Sequence, residues 1–97
     1  MPLETVPFDP AEHLASPESQ AELVADAFAS GDATYIANAL GIVARARGMS
    51  AVAKEAGVTR EALYKALSPT GDPRLSTLLG VVKALGVTLK AEPKTTP

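Results

Sequence analysis

Apolar residues recur along this chain at helical rather than strand spacing. From Pro17 to Ser30, the residues Ala21, Val24, Ala25 and Phe28 fall at i, i+3, i+4 and i+7, the stripe that an amphipathic helix turns toward a core. From Ala33 to about Arg47 the same period sets Ile36, Ala39, Leu40 and Val43 on one face. Over residues 75–85 it sets Leu75, Leu78, Leu79 and Val82 inward. Local chemistry marks the ends. Ser16-Pro17 and Asp32 are helix starts, and Gly31, Gly48 and Gly86 are stops. Asp9-Pro10 is a further start, so FDPAEHL at residues 8–14 is expected to form a short helical turn. Only Val87-Thr88-Leu89-Lys90-Ala91 alternates with period two, which reads as a strand. A lone strand of five residues is not stable. Either it pairs with its copy in a second subunit, or it pairs with another protein, or it is a disordered tail. EPKTTP beyond it is expected to fray.

Residues 49–67, MSAVAKEAGVTREALYKAL, carry the most functional information. Ala53 lies four positions before Gly57, and Val58, Leu63 and Ala66 follow Gly57 at offsets of one, six and nine. This is the spacing that a DNA-binding helix-turn-helix requires. Two steeply crossing helices need a side chain no larger than alanine where they touch, which suits Ala53. The turn needs a residue that tolerates a left-handed backbone, which suits Gly57. Ser50 is expected to cap the first helix and Thr59 the second. With Val58, Leu63 and Ala66 inward, Thr59, Arg60, Glu61, Tyr64 and Lys65 form the outer face. Arg60 and Lys65 can donate to guanine or phosphate, Thr59 and Tyr64 to phosphate, and Glu61 can accept from cytosine. The loop SPTGDPR, residues 68–74, adds Ser68, Thr70 and Arg74 as phosphate contacts, and Ser50 completes the candidate DNA-binding set. The alternative is two short helices that merely build a small helical domain.

Charge sharpens this picture. The chain of 97 residues has a net charge of −2, but residues 1–44 hold seven acids and no Lys or Arg, whereas residues 45–97 hold nine bases and four acids. The basic half contains the helix-turn-helix, where phosphate contacts would supply affinity. The acidic half would repel DNA and could attract a basic protein, although some of its acids serve as helix caps. Arg45 and Arg47 close a helix where cations suit the dipole, and read more naturally as surface residues than as base readers. Either could still touch a phosphate.

Other chemistry is not supported. There is no cysteine and only one histidine, His13, so neither a zinc site nor a Cys–His pair can be assembled and no cofactor is expected. The carboxylates are scattered and no Gly-rich phosphate loop precedes a helix, so nothing supports an enzyme. No basic start or long apolar run suggests a signal peptide or membrane span, and a cytoplasmic location is expected. With only four aromatic residues, Phe8, Phe28, Tyr35 and Tyr64, the core must be built from Ala, Leu, Val and Ile.

The chain resembles the addiction-module antidote family, the HigA-like antitoxins with a helix-turn-helix of the phage-repressor (Xre) type. The resemblance rests on FDPAEHL, on the run ALGIVARARGMSAVAKEAGVTREALYKALSPTGDPRLSTLLGVVKALGV at residues 39–87, and on the tail after it. TREALYKALSPTGDP is its most specific phrase. The resemblance implies an all-α, phage lambda-repressor-like domain of about five helices with a short C-terminal strand. It also implies a homodimer that binds its own operator as double-stranded DNA and neutralises a small basic toxin of the RelE/HigB type. The expected organisation is an acidic helical extension over residues 1–31, a helix-turn-helix domain over 32–86, and a strand and frayed tail over 87–97. A protein-interaction module with little specific DNA binding, or a stand-alone regulator, are the alternatives.

Overall fold

The computed structural model describes residues 16–94. Five helices make up its regular structure: α1 (Pro17–Ser30), α2 (Ala33–Arg47), α3 (Met49–Ala56), α4 (Arg60–Ala66) and α5 (Leu75–Ala84). The described residues are all-helical. The turn expected over residues 8–14 lies outside them.

The helix ends form where local chemistry places them. The Ser16 side chain accepts from the Ser19 N–H at 3.1 Å, with Pro17 in the first turn of α1. The Asp32 carboxylate accepts from the N–H groups of Thr34 and Tyr35 at 2.9 and 3.2 Å, capping α2. Gly31 closes α1 in the left-handed region at φ +71°. Ser50 departs from expectation. The helix begins at Met49 with Gly48 as its N-cap and no side-chain cap, so Ser50 sits inside the first turn, two residues past the capping position.

α3 is the hub, packing against α2, α4 and α5, while α1 lies along α2. The core gathers Leu40, Val43 and Ala44 of α2, Met49, Val52 and Ala53 of α3, Leu63 of α4, Val81 and Val82 of α5, together with Leu67 and Leu85 just past the last two helices. As expected from composition, it is aliphatic. At the α3–α5 contact, Gly80 brings the backbones close. A Cβ there would lie 3.1 Å from the Ala56 carbonyl oxygen.

Two inward faces are rotated from those the periodicity suggests. In α1 the buried residues are Gln20, Val24 and Ala27, with Leu23 packed beside them, while Ala25 is exposed. Polar pairs accompany this burial. Arg47 Nε donates to Gln20 Oε1 at 2.8 Å, and the Tyr35 hydroxyl donates to Asp26 Oδ2 at 2.5 Å, tying α1 to α2. That hydrogen bond, together with the nearby carboxylate charge, raises the Tyr35 pKa above its ordinary value. Val24 and Phe28 of the expected stripe do pack in or against the core, and with Ala21 and Ala25 they also line a groove of about 940 Å³ between α1 and residues 86–94. In α5 the inward residues are Leu78, Val81, Val82 and Leu85, while Leu75 and Leu79 face solvent.

The expected strand over residues 87–91 does not form, and no strand is present among the described residues. Among the described residues no second strand lies beside this segment to complete a ladder. After Gly86 at φ +72°, it continues without regular structure.

Leu63 is completely buried and is the only buried residue of α4. Truncation there removes a whole leucine from a closed core, so Leu63→Ala should cost about 2–5 kcal/mol. A urea melt should show a large fall in midpoint, and an unchanged midpoint would mean that α4 is not anchored as described.

A candidate nucleic-acid interface

α4 has seven residues, too few to persist in water without help. Three features fix its position. Gly57 adopts φ +78°, and the chain reverses with Gly57 N–H donating to the Lys54 carbonyl at 3.2 Å and Val58 N–H to the Ala53 carbonyl at 3.0 Å. Thr59 caps α4 as expected, its hydroxyl oxygen accepting from the Ala62 N–H at 3.0 Å. Leu63 and Leu67 then enter the core, with Val58 and Ala66 half-buried behind them.

This arrangement turns Thr59, Arg60, Glu61, Tyr64 and Lys65 to solvent. Arg60 and Tyr64 are one turn apart and form a unit. The guanidinium lies over the ring at 5.4 Å from its centroid, and Nη2 approaches the Tyr64 hydroxyl at 3.5 Å. That hydroxyl, as hydrogen-bond acceptor, pushes the Arg60 pKa further up. The contact stiffens a long cationic side chain while leaving its outer donors in water.

The N-terminus of α3 opens beside this pair. An α-helix begins with N–H groups that lack intrahelical partners, and the dipole adds partial positive charge there. A shallow groove of about 380 Å³ is lined by the start of α3, including Ser50 and Ala51, and by Arg45, Arg60 and Tyr64. Arg45, Arg60, Ser50 and the start of a helix therefore border one depression. Such a set of donors suits an oxyanion such as a backbone phosphate.

Arg45 is the member that the sequence reads first as a surface residue, with a phosphate contact left open. Its placement at the end of α2 looked like dipole complementation, and only the tight Gly48 junction brings it beside Ser50 and Arg60. Arg47, by contrast, is engaged with Gln20. Glu61 and Lys65 are exposed on α4 but do not line the groove. In the following loop, the Ser68 hydroxyl donates to the Lys65 carbonyl at 2.9 Å, closing the C-terminal end of α4. Thr70 and Arg74 are exposed farther along this loop, and neither lines the groove.

Among the described residues no cluster of His, Cys, Asp and Glu could hold a metal ion, and no helix is long and apolar enough to cross a membrane. A family model described as "Probable addiction module antidote protein" matches residues 4–93. The chain belongs to this antidote family. A protein of similar sequence from Haemophilus influenzae, described as "Uncharacterized protein", is 44% identical over 85 residues, spanning 88% of both chains. No solved structure matches the antidote chain significantly.

The loop that follows α4 packs closely against it. A Cβ on Gly71 would lie 2.2 Å from the Ala66 carbonyl oxygen and 2.5 Å from that of Lys65. Both obstacles are backbone, so no side-chain rotation relieves them. Gly71→Ala should cost about 1–3 kcal/mol through overpacking and lower the thermal midpoint. A midpoint equal to the parent's would show that this loop is not held against α4.

Proposed function

We propose that this antidote-family chain is a HigA-like antitoxin, in which α3 and α4 form a phage-repressor-type helix-turn-helix that represses its own operon. The observation that carries the reading is the convergence of Arg45, Ser50, Arg60 and Tyr64 on the groove at the start of α3. In this arrangement α4 enters the major groove. Arg60 and Lys65 donate to guanine or phosphate, Glu61 accepts from cytosine, and Thr59 and Tyr64 reach phosphate. Arg45 and the first turn of α3 hold the adjoining backbone, while Ser68, Thr70 and Arg74 follow it along the loop. A homodimer presents two such units to an inverted repeat, with half-sites about one helical turn apart.

The second partner is a toxin, which the antidote family itself implies. A basic toxin of the RelE/HigB type suits the acidic end of the molecule. Residues 16–44 carry Glu18, Glu22, Asp26 and Asp32 and no basic residue. The proposed division of the chain sets an acidic extension over residues 1–31, the DNA-binding part over 32–86 and a tail over 87–97.

Fluorescence anisotropy on the DNA upstream of its own gene, over a salt series with random DNA as control, tests the reading. Binding should favour the upstream DNA and weaken as salt rises, with a slope reporting the number of phosphate contacts. Arg60→Ala should cost about 1–3 kcal/mol on the true operator. Equal affinity for both DNAs, unaffected by that substitution, would reduce α3 and α4 to scaffold.

A further inference from the structure

The groove of about 940 Å³ between α1 and the segment after α5 is apolar on both sides. Ala25 and Phe28 line it from the helix, and Val87 and Leu89 line it from the tail. Phe28 and Val87 are half-buried, while Ala25 and Leu89 are exposed, so apolar surface stays in contact with water. The charged residues of the lining are Lys90, Lys94 and Glu92, all on the tail and all exposed. Glu18, Glu22 and Asp26 of α1 are not among the lining residues. The groove therefore joins apolar surface to a net positive charge, at the end of the molecule where α1 itself is acidic.

We propose that this groove is the docking site of residues 3–14 of the same chain, which lie outside the described residues. They supply Leu3, Val6, Phe8 and Leu14 as apolar side chains and Glu4, Asp9 and Glu12 as acids, with no Lys or Arg. Reach permits the contact. From Ser16 to Ala29, α1 runs about 20 Å. Residues 3–15 span up to about 43 Å when extended, so the segment can turn back near Ala15 and follow α1 along the groove. Charge and tethering select this occupant over others. A basic toxin would bring cations to Lys90 and Lys94, whereas this segment brings acids. A second copy would compete with a segment already attached at Ser16, whose effective concentration is on the order of millimolar. Burial of apolar side chains such as Phe8 against Phe28 and Leu89 supplies the affinity. The exposed charge pairs add little energy and serve to set the register. The inference is independent of DNA binding at α3 and α4, so either can fail without the other.

Paramagnetic broadening of amide signals on the full chain tests the proposal. The chain has no cysteine, so Thr5→Cys accepts a single nitroxide label. Amides of residues 86–94 should lose most of their intensity, while those of α4 should keep theirs. A Leu3→Glu, Phe8→Glu variant with the same label should recover the lost intensity, with the resonances of α2 to α5 unmoved as the check on folding. Leu89→Glu, on the groove side, should recover it too. Tail amides that keep full intensity in the labelled parent overturn the inference. Broadening that persists in both glutamate variants also overturns it, because tethering alone would then explain the proximity. Broadening seen only between molecules in a mixed sample, one population carrying the nitroxide and the other the isotope, overturns it and assigns the groove to a second copy. Tail amides that ignore the label but shift when the toxin is added overturn it as well, and assign the groove to the toxin.

Discussion

Burial of Leu63 is the constraint on which the functional end of the molecule depends. Seven helical residues cannot offset their own ordering entropy in water, so α4 exists because one leucine is drawn completely into a core supplied by α2, α3 and α5. Its orientation follows from that anchor. With Leu63 inward, the helical period sends Arg60, Glu61, Tyr64 and Lys65 outward. The Thr59 cap and the Gly57 turn set where the helix begins, while Leu67 and the crowded Gly71 loop set where it stops. A rigid platform for polar side chains thus comes from apolar packing behind it.

Electrostatics divides the same small body. The two arginines that line the groove come from different helices, and the Gly48 junction brings them together. Their mutual repulsion is moderated because both are exposed, and Arg60 is also stacked on Tyr64. At the other end, acids dominate α1 and its junction with α2. Asp26 and Asp32 are partly engaged, one by the Tyr35 hydroxyl and one by backbone N–H groups, while Glu18 and Glu22 remain exposed. Separation of charge lets one chain of 97 residues offer surfaces for ligands of opposite sign.

Helix ends were legible in the sequence because capping is local: Ser16, Asp32, Thr59, Gly31 and Gly57 act within four residues of themselves. Helix faces were less so. In α1, an alanine-rich segment satisfies the helical period in two frames, one through Ala21 and Ala25 and one through Gln20 and Ala27. Hydrogen bonding between Gln20 and Arg47, 27 positions apart, helps select the second. In α5, either Leu75 and Leu79 or Val81 and Leu85 could complete a stripe through Leu78 and Val82, and contact with α3 decides. Among the candidate site residues, those on α4 were readable from the spacing around Gly57. Arg45 was not, because its role depends on how α2 meets α3. The alternating segment at residues 87–91 shows the converse limit, since strand propensity cannot act without a partner strand.

We propose that DNA meets this antidote-family chain at the groove between α3 and α4, rather than at its acidic end. Amide chemical-shift mapping during titration with an operator duplex tests it most directly. The largest shifts should fall at Arg45, at Ser50 and Ala51, and from Thr59 to Lys65, with α1 nearly silent. Shifts concentrated on α1, or spread evenly without saturation, would contradict the account.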